Sequence, residues 1–193
     1  METIRLIAGL GNPGPEHQLD RHNAGFWFAD TLAHAFDGRF RSERRFNGEL
    51  SRIEVQGREL LLFKPMTYMN RSGLALQGLC AYRKIAPTEV LVAHDELDLP
   101  AGTVRLKRGG GHGGHNGLRD TIAHLGKEFL RLRFGIGHPG SKHDVINYVL
   151  RRAPAGDEEL ILNAVGDAVA AVPTLLEDGE EKAKNRLHSR DAG

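Results

Sequence analysis

The chain has a single cysteine, Cys80, among its 193 residues. That excludes an internal disulfide and fits a reducing compartment. No partner motif lies beside Cys80, so it reads as a small packing residue rather than a nucleophile. Aromatic residues make up only 6%, which is thin for the stacking platforms of single-strand binders. No apolar run approaches the roughly 20 residues that a membrane span needs. Met1 leads into Ile4-Arg5-Leu6-Ile7 without the basic-then-apolar order of a secretory signal. A cytoplasmic protein with no membrane partner is the expectation. A dominant charge is missing too: the formal net charge is +1, so bulk charge does not announce a nucleic-acid binder. There is no G-x-S-x-G elbow to supply a serine nucleophile.

What is present is ordinary in bulk and uneven in detail. With 40% hydrophobic and 26% charged residues, the chain can fold as one globular domain, expected over residues 1–193. Basic residues cluster at Arg39, Arg41, Arg44 and Arg45 and again at Arg105, Lys107 and Arg108, while acids gather at 157–159 and 177–181. Apolar patterning predicts strands at 4–10, 90–93, 103–107 and 130–136, and a hairpin of 46–55 with 59–63 turning at 56–58. It predicts helices at 24–36, 72–83, 118–125, 144–150 and 157–176, the last disturbed by Pro173. The alternation implies an α/β fold: a single domain with a twisted, mostly parallel (mixed) β-sheet sandwiched between α-helices.

Residues 109–117 read Gly-Gly-Gly-His-Gly-Gly-His-Asn-Gly. Such a loop is entropically expensive, and its interleaved polar groups suit a ligand cradle better than a plain linker. Gly9-Leu10-Gly11-Asn12-Pro13-Gly14 matches the dinucleotide fingerprint, but the polar segment after it delays the helix that a pyrophosphate would need. Polar groups recur where strands end or helices begin: Asn12, Arg21-His22-Asn23, Met69-Asn70, Asp95 and Asn116. Ligands collect beyond the carboxyl ends of strands in open α/β sheets. A His, an Asp and several Asn there would supply a base, a group to orient it, and neutral donors. Each also has a structural alternative; for Asn23 a helix cap is the favoured one.

These motifs, with Tyr68-Met69-Asn70, Ala93-His94-Asp95-Glu96-Leu97-Asp98, Gly135-Ile136-Gly137-His138-Pro139-Gly140 and Asn185-Arg186-Leu187-His188, together resemble the bacterial peptidyl-tRNA hydrolase family from about residue 4 to the tail. The resemblance implies hydrolysis of the ester between a peptide and the 3′-terminal ribose of tRNA. It implies His22 as the base that activates water, Asp95 as its orienting acid, and Asn12 beside the ester. Asn70 and Asn116 would hold the substrate or the water, supported by His115, with Tyr68, Met69 and His17 lining the cleft. Arg105, Lys107 and Arg133 would grip phosphates of the acceptor stem and 3′ end. The implied enzyme is a monomer without cofactor or metal. His17 stands where the family commonly has Tyr, Arg105 where Lys is usual, and Met66 where Thr is expected.

Two other readings stand beside it. A metal hydrolase could use His112-x-x-His115 with Asp95 or His138, although a glycine-flanked H-x-x-H lacks helical i, i+4 geometry. A non-catalytic RNA-binding module could use the basic clusters alone.

Overall fold

The computed structural model describes residues 3–188. Its centre is β1 (Leu6–Gly9), a run buried on both sides, as the inner strand of a parallel arrangement must be. The chain then forms α1 (Ala24–Ala35), β2 (Arg41–Glu43), β3 (Gly48–Val55), β4 (Arg58–Pro65) and α2 (Ser72–Arg83). Next come β5 (Val90–Glu96), β6 (Val104–Arg108), α3 (Asn116–Leu125) and β7 (Leu130–Gly135). Three helices close the described chain: α4 (Val145–Val149), α5 (Ala155–Asp178) and α6 (Glu180–His188).

The seven strands make one sheet, ordered β2-β3-β4-β1-β5-β7-β6. The inner four, β4, β1, β5 and β7, run parallel, while β2, β3 and β6 attach through antiparallel pairings. Strand alternation sorts the core into two layers. Ile7 and Leu91 face one side with Phe28, Leu32 and the apolar stripe of α5. Leu6, Ala8, Val90 and Val92 face the other with Leu76 and Leu79 of α2 and Leu118 of α3. The β3–β4 turn places Gln56 and Gly57 at φ 53° and 73°, the two left-handed residues of a type I′ hairpin.

Several expectations shift. The first strand is shorter than residues 4–10, and β2 and α6 carry no sequence signal that predicted them. Pro173 does not interrupt α5, which runs unbroken for 24 residues. Val165, Ala168, Val172, Leu175 and Leu176 are buried on both sides of the proline, so packing outweighs the lost helical hydrogen bond. By length and composition α5 could cross a bilayer, with a mean hydropathy of 1.5 over 18 residues. Its Ile161–Leu176 stripe is instead spent on the sheet.

Candidate active site

The loops that matter gather at the carboxyl end of the parallel strands. Asn12 leaves β1, Tyr68 and Met69 come after β4, and Asp95 sits one residue before the end of β5. A cavity of about 280 Å³ lies among Asn12, His22, Met69, Asn70, Asp95 and Asn116, with Val145, Ile146 and Val149 of α4 over it. The glycine loop forms one wall, and Gly113 and Gly114 adopt φ 59° and 85° there. Arg131, buried on β7, donates to the carbonyls of Gly110 and Gly111 and fixes the loop from beneath. Sequence reasoning missed that anchor; its one signal is that Arg131 is one of two arginines alternating with apolar residues in the strand.

His22 lies in a 3-10 turn, Arg21–Asn23, just ahead of α1. The turn is nailed down by Arg21, whose guanidinium stacks 3.7 Å from the Tyr148 ring centroid and donates to the Tyr148 carbonyl at 2.9 Å. Close approach of α1 to β1 and β5 requires glycine at position 25: a Cβ there would lie 2.4 Å from the Ala93 carbonyl oxygen and 2.6 Å from the Leu10 nitrogen. A Cβ on Gly9 would meet the Gly25 oxygen at 2.2 Å. Gly9 of the apparent nucleotide fingerprint is therefore a packing device. Directly after Gly14 the chain makes a single 3-10 turn, Pro15–His17.

The His22 ring presents Nδ1 to Asp95, 3.0 and 2.9 Å from its two carboxylate oxygens. His115 lies on the other side of the same carboxylate, with Nε2 2.9 Å from Oδ1. Its Nδ1 accepts from the Leu118 N–H at 3.2 Å, so its proton must sit on Nε2 and point at Asp95. Asp95 thus accepts from two imidazoles. His94 donates Nδ1–H to the Asp95 backbone carbonyl at 2.7 Å and meets His115 edge-on. The strand was expected to end at residue 93, with His94 first among the polar residues after it; it is instead a buried residue of β5.

Burial alone would push the His22 pKa down, but the Asp95 charge and hydrogen bond, aided by Asp20, reverse this and raise it. For Asp95 burial pushes upward, while the charges and hydrogen bonds of His22 and His115 hold it well below the usual carboxylate range. Burial and the neighbouring His115 push His94 down to about 3, so that ring is neutral. The result is an ionised carboxylate oriented on His22 Nδ1, leaving Nε2 as the free lone pair.

Asn12 is held on three sides. Its N–H donates to Asn23 Oδ1 at 2.8 Å, its carbonyl accepts from Asn23 Nδ2 at 3.0 Å, and its own Oδ1 accepts from the Met69 N–H at 2.8 Å. With Oδ1 occupied, the Asn12 amide offers donors. This corrects the cap reading of Asn23, which makes no side-chain cap to α1 and clamps Asn12 instead. Tyr68, Asn70 and Asn116 are exposed and line the cleft as expected, with buried Met69 behind them. His17 does not reach it: it is absent from the cleft wall, and its Nδ1 pairs with Asp20 at 2.7 Å. Arg105, Lys107 and Arg133 stand outside the cleft on β6 and β7. Arg105 and Arg133 are cross-strand partners, and Arg133 pairs at 2.9 Å with Glu96, which does line the cleft.

Among the described residues, the potential metal ligands that gather are His22, Asp95 and His115. The ring nitrogens they direct at Asp95 hydrogen-bond to it rather than leaving lone pairs for an ion. His112 lines the cleft outside that cluster and His138 is not on the cleft wall; their Nδ1 atoms accept from the N–H of Gly114 and Gly140. The His112-x-x-His115 set of the rival metal reading does not assemble among the described residues. Cys80 is buried, its thiol pushed up to about 12 by burial and by Glu89, consistent with a packing role.

The chain as a whole is similar to known proteins. A peptidyl-tRNA hydrolase of Vibrio parahaemolyticus is 50% identical over 190 residues, covering 97% of both chains. One from Polynucleobacter asymbioticus is 49% identical over 193 residues, with 96% of this chain and 98% of that one covered. The crystal structure of peptidyl-tRNA hydrolase from Acinetobacter baumannii is 46% identical with a TM-score of 0.95, spanning 97% of this chain and 95% of its own. The family described as peptidyl-tRNA hydrolase matches residues 6–193, and the chain belongs to it.

Proposed function

We infer that the cleft hydrolyses the ester joining a peptide, or an N-blocked amino acid, to the 3′-terminal ribose of tRNA, releasing tRNA for reuse in translation. His22 Nε2 takes a proton from a water as that water attacks the ester carbonyl. The oxyanion meets amide donors of Asn12, Asn70 and Asn116. Collapse of the tetrahedral species breaks the bond to the ribose oxygen, which takes the proton back from the His22 imidazolium. Asp95 keeps the tautomer correct throughout and offsets the transient positive charge. Asn12, firmly positioned beside the reacting carbon, reads the peptide backbone and favours blocked over free amino groups.

The observation that carries this reading is the fixed tautomer: Asp95 bonds His22 Nδ1 while a second, locked histidine shares the carboxylate. Arg105, Lys107 and Arg133 serve the acceptor-stem and 3′-end phosphates. His17 acts at most through Asp20. We further propose that the enzyme works as a cytoplasmic monomer without metal or cofactor. The deciding experiment is release of the acyl group from N-acetyl-aminoacyl-tRNA. Wild type releases it, and His22→Ala loses turnover while still binding tRNA. No release by wild type, or full activity in His22→Ala, overturns the reading; the latter is the result expected of a non-catalytic RNA-binding module.

A further inference from the structure

Behind Asn12 lies a second and larger cavity of about 680 Å³, well within the size of ligand sites. Among the described residues, Asn12 alone lines both it and the catalytic cleft. Its wall carries Asp30, Glu49, Glu158 and Lys64 with the apolar side chains of Phe26, Trp27 and Leu162. Lys64 is almost buried, and both Asp30 and Glu49 already neutralise it, at 2.6 and 3.2 Å. The carboxylates remain in excess, and Asp30 is 54% exposed. Glu158 is tied to Arg152 at 2.7 Å.

Sheet order gives this cavity a direction. Across the carboxyl ends the sequence is Glu49 and Lys64 on β3 and β4, Asn12 after β1, Asp95 on β5, Arg133 on β7 and Arg105 on β6. One flank is cationic and the other acidic and apolar, with the catalytic pair between them. A substrate that is a polyanion on one side of its ester and a peptide on the other fits this field in one orientation only.

We propose that the cavity behind Asn12 is a subsite for the peptide residues upstream of the ester, and that its acidic wall favours cationic over anionic side chains there. The proposal rests on the hydrolase reading above. An extended residue spans about 3.3–3.6 Å. On this reading an N-acetyl-aminoacyl group ends near Asn12, and each further residue carries the peptide onward into the cavity.

The test uses two N-acetyl-tetrapeptidyl-tRNAs alike except for two upstream residues, Lys-Lys or Glu-Glu. Wild type hydrolyses the Lys substrate with a kcat/KM about fivefold higher, the scale of one or two part-exposed charge contacts. The double variant Thr31→Lys/Leu162→Lys places two cations on exposed positions of the wall and inverts the ratio. A ratio taken within one preparation is insensitive to the folded fraction. Equal rates on the two substrates in wild type overturn the subsite, as does a ratio unchanged in the variant. A KM lowered alike for every substrate, N-acetyl-aminoacyl-tRNA included, also overturns it, since that would place RNA in the cavity. Failure of wild type on all substrates would strike the hydrolase reading itself and is read separately.

Discussion

Asp95→Asn isolates the orienting carboxylate with almost no change of volume. Asp95 accepts from two rings, and an amide has only one acceptor oxygen to replace it. His115 cannot adapt, because its Nδ1 is committed as acceptor to the Leu118 N–H and its Nε2–H must find an oxygen. The new Oδ1 therefore stays with His115, and the amide NH₂ takes the place of Oδ2, 2.9 Å from His22 Nδ1. Facing a donor, His22 must carry its proton on Nε2, where the base is needed. The variant loses both the correct tautomer and the charge that offsets the imidazolium.

An Asp→Asn change with this consequence costs roughly 10³–10⁴-fold in turnover. Single-turnover release of labelled acyl group from N-acetyl-aminoacyl-tRNA measures it, with tRNA affinity by anisotropy expected to stay near wild type. The pH profile adds a sign. In wild type the base limb of kcat/KM lies above the ordinary histidine value of 6.5, since Asp95 outweighs burial. In Asp95→Asn, burial persists without the carboxylate, and the limb of the residual activity moves to lower pH. Adding His115→Ala frees the amide to turn its oxygen to His22, so the double variant recovers part of the lost rate. An Asp95→Asn enzyme within tenfold of wild type would refute the reasoning, as would a double variant no better than the single.

Asn23→Ala leaves the backbone N–H and carbonyl of Asn12 without their buried partners. It should cost about 2 kcal/mol, roughly 4–8 °C in Tm, by calorimetry, with kcat/KM falling further because Asn12 loses its position. Arg105→Ala and Arg133→Ala should each weaken binding of a tRNA acceptor mimic regardless of its sequence and reduce the slope of log Kd against log salt by about 1; a slope that does not change removes them from the phosphate path. Stability should depend on pH with opposite signs for the two members of the pair. The depressed Asp95 contributes above 3.8 and loses its contribution as pH falls through its folded value. The raised His22 contributes fully below 6.5 and loses its contribution as pH rises through its folded value, so His22→Ala should flatten the alkaline decline of Tm. Activity should survive exhaustive chelation, since among the described residues the Asp95 contacts of His22 and His115 occupy the ligand set that gathers there; loss restored by a divalent ion would reverse that conclusion.

What the sequence made legible, and what it hid, divides along a physical line. Runs such as Leu6-Ile7-Ala8 and Val90-Leu91-Val92-Ala93 declared the inner strands because burial on both faces demands apolar residues at every position. The His22, Asp95 and Asn12 set was readable as polar groups at strand ends, and the structure brings all three together. Partnerships fixed by distance in space stayed hidden. Asn23 before a helix looks like a cap until Asn12 is seen eleven residues away on its amide. Arg131 looks like strand charge until the glycine loop folds over it. The β2 strand is three residues of mostly exposed side chains, held by pairing with β3 rather than by any pattern of its own.

The same distinction separates the two glycine motifs. Glycine permits close approach of something in both, although the polar segment after Gly14 already argued against a nucleotide at the first. In the first, what approaches Gly9 is the chain itself: its neighbour is the Gly25 carbonyl, and the contact brings α1 down so that His22 meets Asp95. In the second, Gly111, Gly113 and Gly114 have nothing within 4 Å of a Cβ position, so that space is open to a ligand. Substitution should separate them. Gly25→Ala collides with backbone and should disrupt folding, whereas Gly111→Ala, whose φ is not in the left-handed region, should fold with wild-type Tm and alter KM for tRNA. If Gly111→Ala lowered Tm as Gly25→Ala does, the loop would be a structural element and not a wall of the cleft.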